Sequence, residues 1–344
     1  QDSTAFHSSK PFAITNTCVE MQPSGRSFTS AFSDSLCDLM LQDDKIVAAT
    51  AAMPDGTGID KAMEKFPNRV WDTGICESHA MDMLAGMAKT GCKPFFAVYS
   101  TFLQRAFDQA FQEVSLQGLP LRLCLDRAGV VGGDGAVHHG FCDISLLRVL
   151  PDAVIMAAID EPSLREAMTF MANYDAGLTA VRYPRDTVQQ LEQRCPPFKL
   201  GKAHPLRKTN NPKLAILGFG TTTLDALKAA EIVDCETIDV YDFRFAKPVD
   251  GKLLEELISN KIPIITVEDH SIVGGFGSAI LEESAKRKLD SSYITTLGLP
   301  DRWIGHGSRK EQLAEAGIDA TGIASVASRI LNETYSETPF VVTR

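Results

Sequence analysis

Four stretches of this chain gather side chains whose types and spacing could do chemistry. The first is Gly74-Ile75-Cys76-Glu77-Ser78-His79-Ala80. It follows an apolar run and opens a helical pattern. That places Glu77 near a helix N-terminus at the carboxyl edge of a sheet, where open α/β folds bind ligands. Glu77 also reads as a first-turn acid complementing the helix dipole, and on this stretch alone that structural reading is the stronger. His79 reads as a structural residue rather than a base. The second stretch, Tyr99 to Gln109, clusters aromatic residues at a strand-to-helix junction. Phe107 and Phe111 suit a core. Tyr99 and Phe102 suit either the core or the rim of a sheet, with Ser100 or Thr101 as an N-cap.

The third stretch runs from Asp126 to Gly140 and is a Gly-rich loop holding Arg127, Asp134 and the adjacent His138 and His139. Such a loop lets backbone approach a ligand closely. Its glycines form neither a G-x-G-x-x-G fingerprint nor a P-loop. The two histidines lack a third metal ligand, so acid–base or hydrogen-bonding work fits them better. The fourth stretch is Arg182-Tyr183-Pro184-Arg185 at a strand end. Its guanidinium groups suit a phosphate or carboxylate held in a bidentate way. A surface or interdomain salt bridge is the equal alternative.

These residues need elements to hold them. Strands are expected at Ile46–Thr50, Val70–Asp72, Pro94–Tyr99, Leu121–Asp126, Val154–Ala157 and Leu178–Arg182. Helical spacing covers Glu77 to Lys89 and Phe102 to Leu116, and Asp160-Glu161-Pro162-Ser163 starts a further helix. Strands alternating with helices imply a parallel sheet covered on both faces. Prolines 196, 197, 205 and 212 then mark a boundary. Beyond it the alternation resumes, with strands expected at Leu214–Leu217, Thr237–Tyr241, Ile262–Val267 and Tyr293–Leu297. Helices are expected at Gly251–Ser259, Gly277–Lys288 and Thr321–Asn332. The division is a linker over 1–25, one α/β domain over 26–190, a linker over 191–212 and a smaller α/β domain over 213–344.

Composition narrows the classes. A chain of 344 residues holds about two domains at roughly 150 residues each. With 44% hydrophobic and 23% charged residues it is an ordinary globular composition, not a disordered one. A net charge of −10 without a basic stripe argues against nucleic acid and anionic membranes, and no apolar run nears the ~18 residues of a membrane span. Eight cysteines without a C-x-x-C pair or zinc spacing point to a reducing compartment. The sequon Asn332-Glu333-Thr334 reads as chance in that setting. The chain starts Gln1-Asp2-Ser3, with neither methionine nor a signal-like stretch. It reads as a fragment or a processed end.

Together the four stretches resemble the 1-deoxy-D-xylulose-5-phosphate synthase family, thiamine-diphosphate enzymes of the transketolase superfamily. The resemblance runs from about Ser27 to about Ser328 and spans that family's middle, pyrimidine-binding domain and its C-terminal domain. It implies two doubly wound α/β sheet domains. It implies that Glu77 hydrogen-bonds N1′ of the cofactor's aminopyrimidine, a task for a carboxyl that Gln would do poorly, and that Phe102 stacks on that ring. By the same resemblance Tyr99, Arg127 and Arg185 hold a phosphorylated acceptor, Asp134 and His138 lie near the reacting carbon, and Arg105 is structural support. The implied reaction joins pyruvate to D-glyceraldehyde 3-phosphate, releases carbon dioxide and gives 1-deoxy-D-xylulose 5-phosphate for isoprenoid, thiamine and pyridoxal synthesis.

Two departures stand out. The family usually reads Ala-Glu-Gln-His where this chain has Cys76-Glu77-Ser78-His79. The Gly-Asp-Gly…Asn motif that binds diphosphate through Mg²⁺ is missing, because Gly133-Asp134-Gly135 lies inside the loop and no suitable Asn follows. The Mg²⁺ ligands and a further histidine are therefore expected on an N-terminal domain, supplied in cis or by a separate chain. A homodimer in the bacterial cytoplasm or the plastid stroma is the family expectation. The segment Thr266 to His270 with Gly274-Gly275-Phe276-Gly277 is expected at domain and subunit interfaces, and His306 has no assigned role. Two other readings remain: a different superfamily enzyme with a phosphorylated aldehyde acceptor, or a non-catalytic dimerisation module.

Overall fold

The computed structural model describes residues 12–14, 19–21, 25–234 and 236–335. The first two segments are short strands, β1 (Phe12–Ile14) and β2 (Val19–Met21), paired antiparallel. Of the stretch read as an irregular linker, only these two strands and Gly25 fall among the described residues.

The first sheet is built from β3 (Ile46–Thr50), β4 (Val70–Asp72), β5 (Lys93–Tyr99), β6 (Arg122–Asp126), β7 (Val154–Ala157) and β8 (Thr179–Arg182). Their order is β7-β8-β6-β5-β3-β4 and all run parallel. Every residue of β3, β6, β7 and β8 is buried. That is the signature of a parallel sheet covered on both faces, and it is why these strands read as unbroken apolar runs. Helix α1 (Phe28–Gln42) closes one face with Phe28, Phe32, Leu36 and Met40, a stripe at steps of four. Burying each such side chain contributes about 1.5–3 kcal/mol. Helix α2 (Glu77–Lys89) covers the other face with Ala80, Met81, Leu84, Ala85 and Ala88. A reciprocal capping box between Asp160 and Ser163 starts α3 (Glu161–Ala172) where the sequence signals it.

The expected helix from Phe102 to Leu116 has a different winding. A 3-10 stretch over Ser100–Ala106 passes through Phe107–Gln109 into a π stretch over Ala110–Ser115. The buried positions explain it. Leu103 and Ala106 are three apart, as tight winding requires, and Ala110 and Val114 follow at steps of four as it widens.

The second sheet holds β9 (His204–Arg207), β10 (Leu214–Phe219), β11 (Ile238–Asp242), β13 (Ile264–Ser271) and β14 (Ile294–Leu299) in the order β14-β13-β10-β11-β9. Only β9 is antiparallel. It falls inside the stretch read as interdomain linker, and Pro205 hides it there because proline is confined to sheet edges. Helices α4 (Thr222–Val233), α5 (Gly251–Ser259), α6 (Phe276–Lys286), α7 (Arg309–Glu315) and α8 (Ala320–Tyr335) complete this half.

The two halves are joined more closely than the sequence division suggests. Strand β12 (Phe245–Lys247), from the second half, pairs antiparallel with β7 and extends the first sheet. One hydrophobic cluster runs across the seam, with Leu147, Ile155 and Ala157 on one side and Phe219, Phe243 and Phe276 on the other. Phe276 stacks on Phe219 at 5.1 Å and meets Phe243 at 5.0 Å.

Candidate active site

The carboxyl ends of the first sheet's strands collect the candidate residues. After β4 the chain turns through Gly74, whose φ of 72° is left-handed. Asp72 fixes the turn by accepting from the backbone N–H groups of Ala52 (2.7 Å) and Gly74 (3.0 Å). Cys76 caps α2 without a side-chain bond, and Glu77 is its first residue, only 4% exposed. A buried carboxylate needs a partner. Arg105 supplies one, donating from Nη1 to Glu77 Oε1 at 2.8 Å. The same guanidinium lies over the Phe102 ring, 4.7 Å from its centroid.

Phe102 is the hub. It stacks on Tyr99 at 5.7 Å with the rings 12° apart, and His138 meets its edge at 6.0 Å. Tyr99, the last residue of β5, is buried, and burial pushes its phenol up to about 12. It therefore stays protonated near neutral pH. A Cβ at Gly56, inside the short helix Pro54–Thr57, would overlap the Tyr99 hydroxyl, so only glycine lets that turn close over it.

Arg127 follows β6 with a φ of 59°, a strained conformation for a non-glycine residue. The buried Asp126 steadies it: Oδ1 accepts the Arg127 backbone N–H at 2.7 Å and Oδ2 pairs with Nη1 at 3.0 Å. Burial raises the Asp126 carboxyl, and Arg127 opposes that shift. Arg127 Nη1 also donates to the Gly56 carbonyl and to Thr29 Oγ1, and its guanidinium lies 4.1 Å from the Tyr99 centroid. These bonds all run through Nη1, while Nε is buried without a partner. A buried orphan donor costs about 1–3 kcal/mol.

The loop after Arg127 brings the remaining candidates together. Arg185 pairs with Asp134 at 3.3 Å, both side chains partly exposed, and reaches the Val131 carbonyl at 3.4 Å. His138 Nδ1 lies 3.2 Å from the Asp134 carbonyl oxygen. Tyr99, Phe102, Arg127, Asp134, His138 and Arg185 thus stand around one sheet edge, with Glu77 tied in through Arg105.

Two residues of the quoted stretches lie elsewhere. His79 is exposed on α2. Arg182 turns away from the edge and forms a buried pair with Asp143 (2.9 Å), also donating to the Asp269 carbonyl at 2.9 Å. Arg182 thus makes a buried ion pair within the first domain, neither the surface or interdomain salt bridge nor the phosphate ligand that its stretch suggested. Sequence reading passed over Thr29, which sits in an unread helix, and Gly56, which carries no motif. Among the described residues no cluster of three or more His, Cys, Asp or Glu could hold a metal ion, and no helix is long and apolar enough to cross a membrane.

Comparison with known proteins places this arrangement. Residues 24–190 match the transketolase pyrimidine-binding domain and residues 201–323 the transketolase C-terminal domain. The chain belongs to the transketolase family. Within it, the chain is similar to 1-deoxy-D-xylulose-5-phosphate synthase 1 of Geobacter sulfurreducens, 41% identical over 333 residues covering 95% of this chain and 52% of the relative. It is likewise similar to 1-deoxy-D-xylulose-5-phosphate synthase of Magnetococcus marinus, 41% identical over 95% of this chain and 53% of the relative. The chain thus spans about half the length of the curated relatives it matches. Among solved transketolase-family structures, a split-gene transketolase in an inactive β4 tetramer superposes with a TM-score of 0.77 at 25% identity. That match covers 90% of this chain and 99% of the other. Transketolase from Leishmania mexicana shares the fold with a TM-score of 0.76 at 15% identity, over 92% of this chain and 47% of the other.

Proposed function

We propose that this chain is the pyrimidine- and acceptor-binding part of a thiamine-diphosphate enzyme that condenses pyruvate with D-glyceraldehyde 3-phosphate to 1-deoxy-D-xylulose 5-phosphate. In this reading residues 26–190 hold the pyrimidine and the acceptor, and residues 213–344 brace them. A diphosphate-binding domain, in cis or on another chain, brings the Mg²⁺ ligands. The working assembly is a homodimer of complete units in the cytoplasm or the plastid stroma.

The observation that carries the reading is the pairing of a buried carboxylate with an aromatic platform beside a double-arginine edge. Glu77 is buried at a helix start, its Oε1 held by Arg105. Phe102 presents a half-buried ring nearby, linked to Glu77 through Arg105. These residues fit an aminopyrimidine, which needs one carboxyl for a ring nitrogen and one flat apolar face. Thiamine diphosphate, when bound, supplies the electron sink for making and breaking carbon–carbon bonds.

The chain's own residues do the rest. Glu77 holds a proton against the pyrimidine N1′. Arg185 and Arg127 bind the acceptor phosphate, and the protonated Tyr99 hydroxyl donates to the same ligand. His138 and Asp134, held together by the loop, orient the acceptor aldehyde and pass a proton at its oxygen. The direct test mixes this chain with its diphosphate-binding domain, thiamine diphosphate, Mg²⁺, pyruvate and D-glyceraldehyde 3-phosphate. The expected result is carbon dioxide release with formation of 1-deoxy-D-xylulose 5-phosphate. An assembled protein that releases no carbon dioxide from pyruvate would be a non-catalytic module instead.

A further inference from the structure

The acceptor-side residues sit on two separate segments, the loop carrying Asp134 and His138 and the strand end carrying Arg185. Their charged groups meet only in the loose, half-exposed Arg185–Asp134 pair. A residue of the second half bridges the bases of both segments. Arg309, the first residue of α7, is 12% exposed. Nη1 donates to Asp186 Oδ2 at 3.0 Å, next to Arg185. Nη2 donates to Asp269 Oδ2 at 2.6 Å and to Thr221 Oγ1 at 3.1 Å. The other oxygen of Asp269 accepts the backbone N–H of Val130, inside the loop, at 3.0 Å.

The neighbours of Arg309 reinforce the bridge. The Ser308–Glu311 capping box fixes the start of α7. Gln312, one turn on, accepts from the Gly132 N–H at 2.8 Å and donates to the Gly132 carbonyl at 3.2 Å. Gly135 has a φ of 75°, and a Cβ there would overlap the His306 ring. Three points of the loop, Val130, Gly132 and Gly135, thus rest on the second half.

Resting on the function proposed above, we propose that Arg309 is a positioning residue for acceptor specificity. Through Asp186 and Asp269 it sets the separation of Arg185 from Asp134 and His138, and so the preference for a phosphorylated aldehyde. A planar guanidinium can span two carboxylates; a lysine ammonium is a single point charge.

The test compares D-glyceraldehyde 3-phosphate with unphosphorylated glyceraldehyde in the assembled enzyme. In Arg309→Met the ratio of the two kcat/KM values should fall about tenfold or more, since small misplacements at a reacting site are costly. The pyruvate KM should stay within about twofold on the same argument. Arg309→Lys should leave the ratio low. Asp186→Asn, at a partly exposed site that tolerates change, should lower it too and covers the case in which Arg309→Met fails to fold. On the present chain, hydrogen exchange of the Val130–Gly132 amides should quicken in Arg309→Met. An unchanged ratio in folded Arg309→Met, restoration of the ratio by lysine, or unchanged exchange overturns the inference. Loss of the ratio in Arg185→Ala but not in Arg309→Met overturns it alone. Loss in neither overturns the function on which it rests as well.

Discussion

Phe102 touches Tyr99, His138 and Arg105 at once, so changing it disturbs both branches of the site. Aromatic pairing contributes about 0.5–1.5 kcal/mol beyond area burial. Phe102→Leu should therefore cost the fold about 1 kcal/mol in urea unfolding, and it should weaken cofactor binding in the assembled enzyme. Unchanged affinity would remove Phe102 from the cofactor site. Arg185 makes a more selective prediction. Its side chain is half-exposed and weakly paired, so Arg185→Ala should leave stability within about 0.5 kcal/mol. It should also raise the KM for D-glyceraldehyde 3-phosphate far more than for unphosphorylated glyceraldehyde. Equal losses with both acceptors would argue against a phosphate role. At this scale the sequence displays residue types but not partners. Arg182 and Arg185 look alike in the chain, yet one is buried against Asp143 and the other stands at the edge.

Elements were legible where burial is continuous. The buried runs of β3 and β7, the short strand β4, and the helices α2 and α5 have the bounds that apolar spacing and caps imply. Helix α1 escaped although its apolar stripe is regular, because the serines between the stripe positions, Ser30, Ser33 and Ser35, give the segment a loop-like composition. Edge strands β9 and β12 escaped because each is short, antiparallel and marked by proline, Pro205 within one and Pro248 just after the other. The loop after β6 was legible as a candidate site but not as a clamped loop, because its supports, Asp269 and Gln312, lie far along the chain. Gly129 tests that clamp. Its φ is 77°, and a Cβ would overlap the Asp269 carboxylate. Gly129→Ala should cost about 1–3 kcal/mol through strain and overpacking, with faster proteolysis of the loop. A loss below about 0.5 kcal/mol would mean that the loop does not depend on that contact.

Across the whole molecule the seam concentrates buried ionisable groups. Burial pushes Glu268 up to about 8 although it accepts from the N–H groups of Phe276 (2.6 Å) and Gly277 (2.7 Å). Burial likewise raises Asp242 to about 7 and lowers His270 to about 4. The two carboxyls bind protons more tightly when folded, so their contribution is full below their ordinary values of 4.5 and 3.8 and is lost as pH rises through about 8 and 7. The histidine contributes in the opposite sense: its share is full above 6.5 and is lost as pH falls through about 4. The terms oppose each other in the acid range and leave the carboxyls alone above pH 6.5. Urea midpoints should therefore fall between pH 6.5 and 8.5, and Glu268→Gln should flatten that fall. A midpoint that rises over this range would contradict the assignment.

The seam also ties the two sheets together, through a shared apolar cluster and the β12–β7 pairing. In the function proposed for this chain, the chemistry depends most directly on Glu77. The decisive measurement is formation of 1-deoxy-D-xylulose 5-phosphate by the assembled enzyme with Glu77→Gln, beside a thermal-shift control for folding. The amide keeps the size and can donate an N–H, but it cannot give up or take back a proton as a carboxyl does, so product formation should fall by a factor on the order of a hundred or more. Near-normal turnover in a folded Glu77→Gln protein would contradict the placement of the cofactor's pyrimidine at this carboxylate.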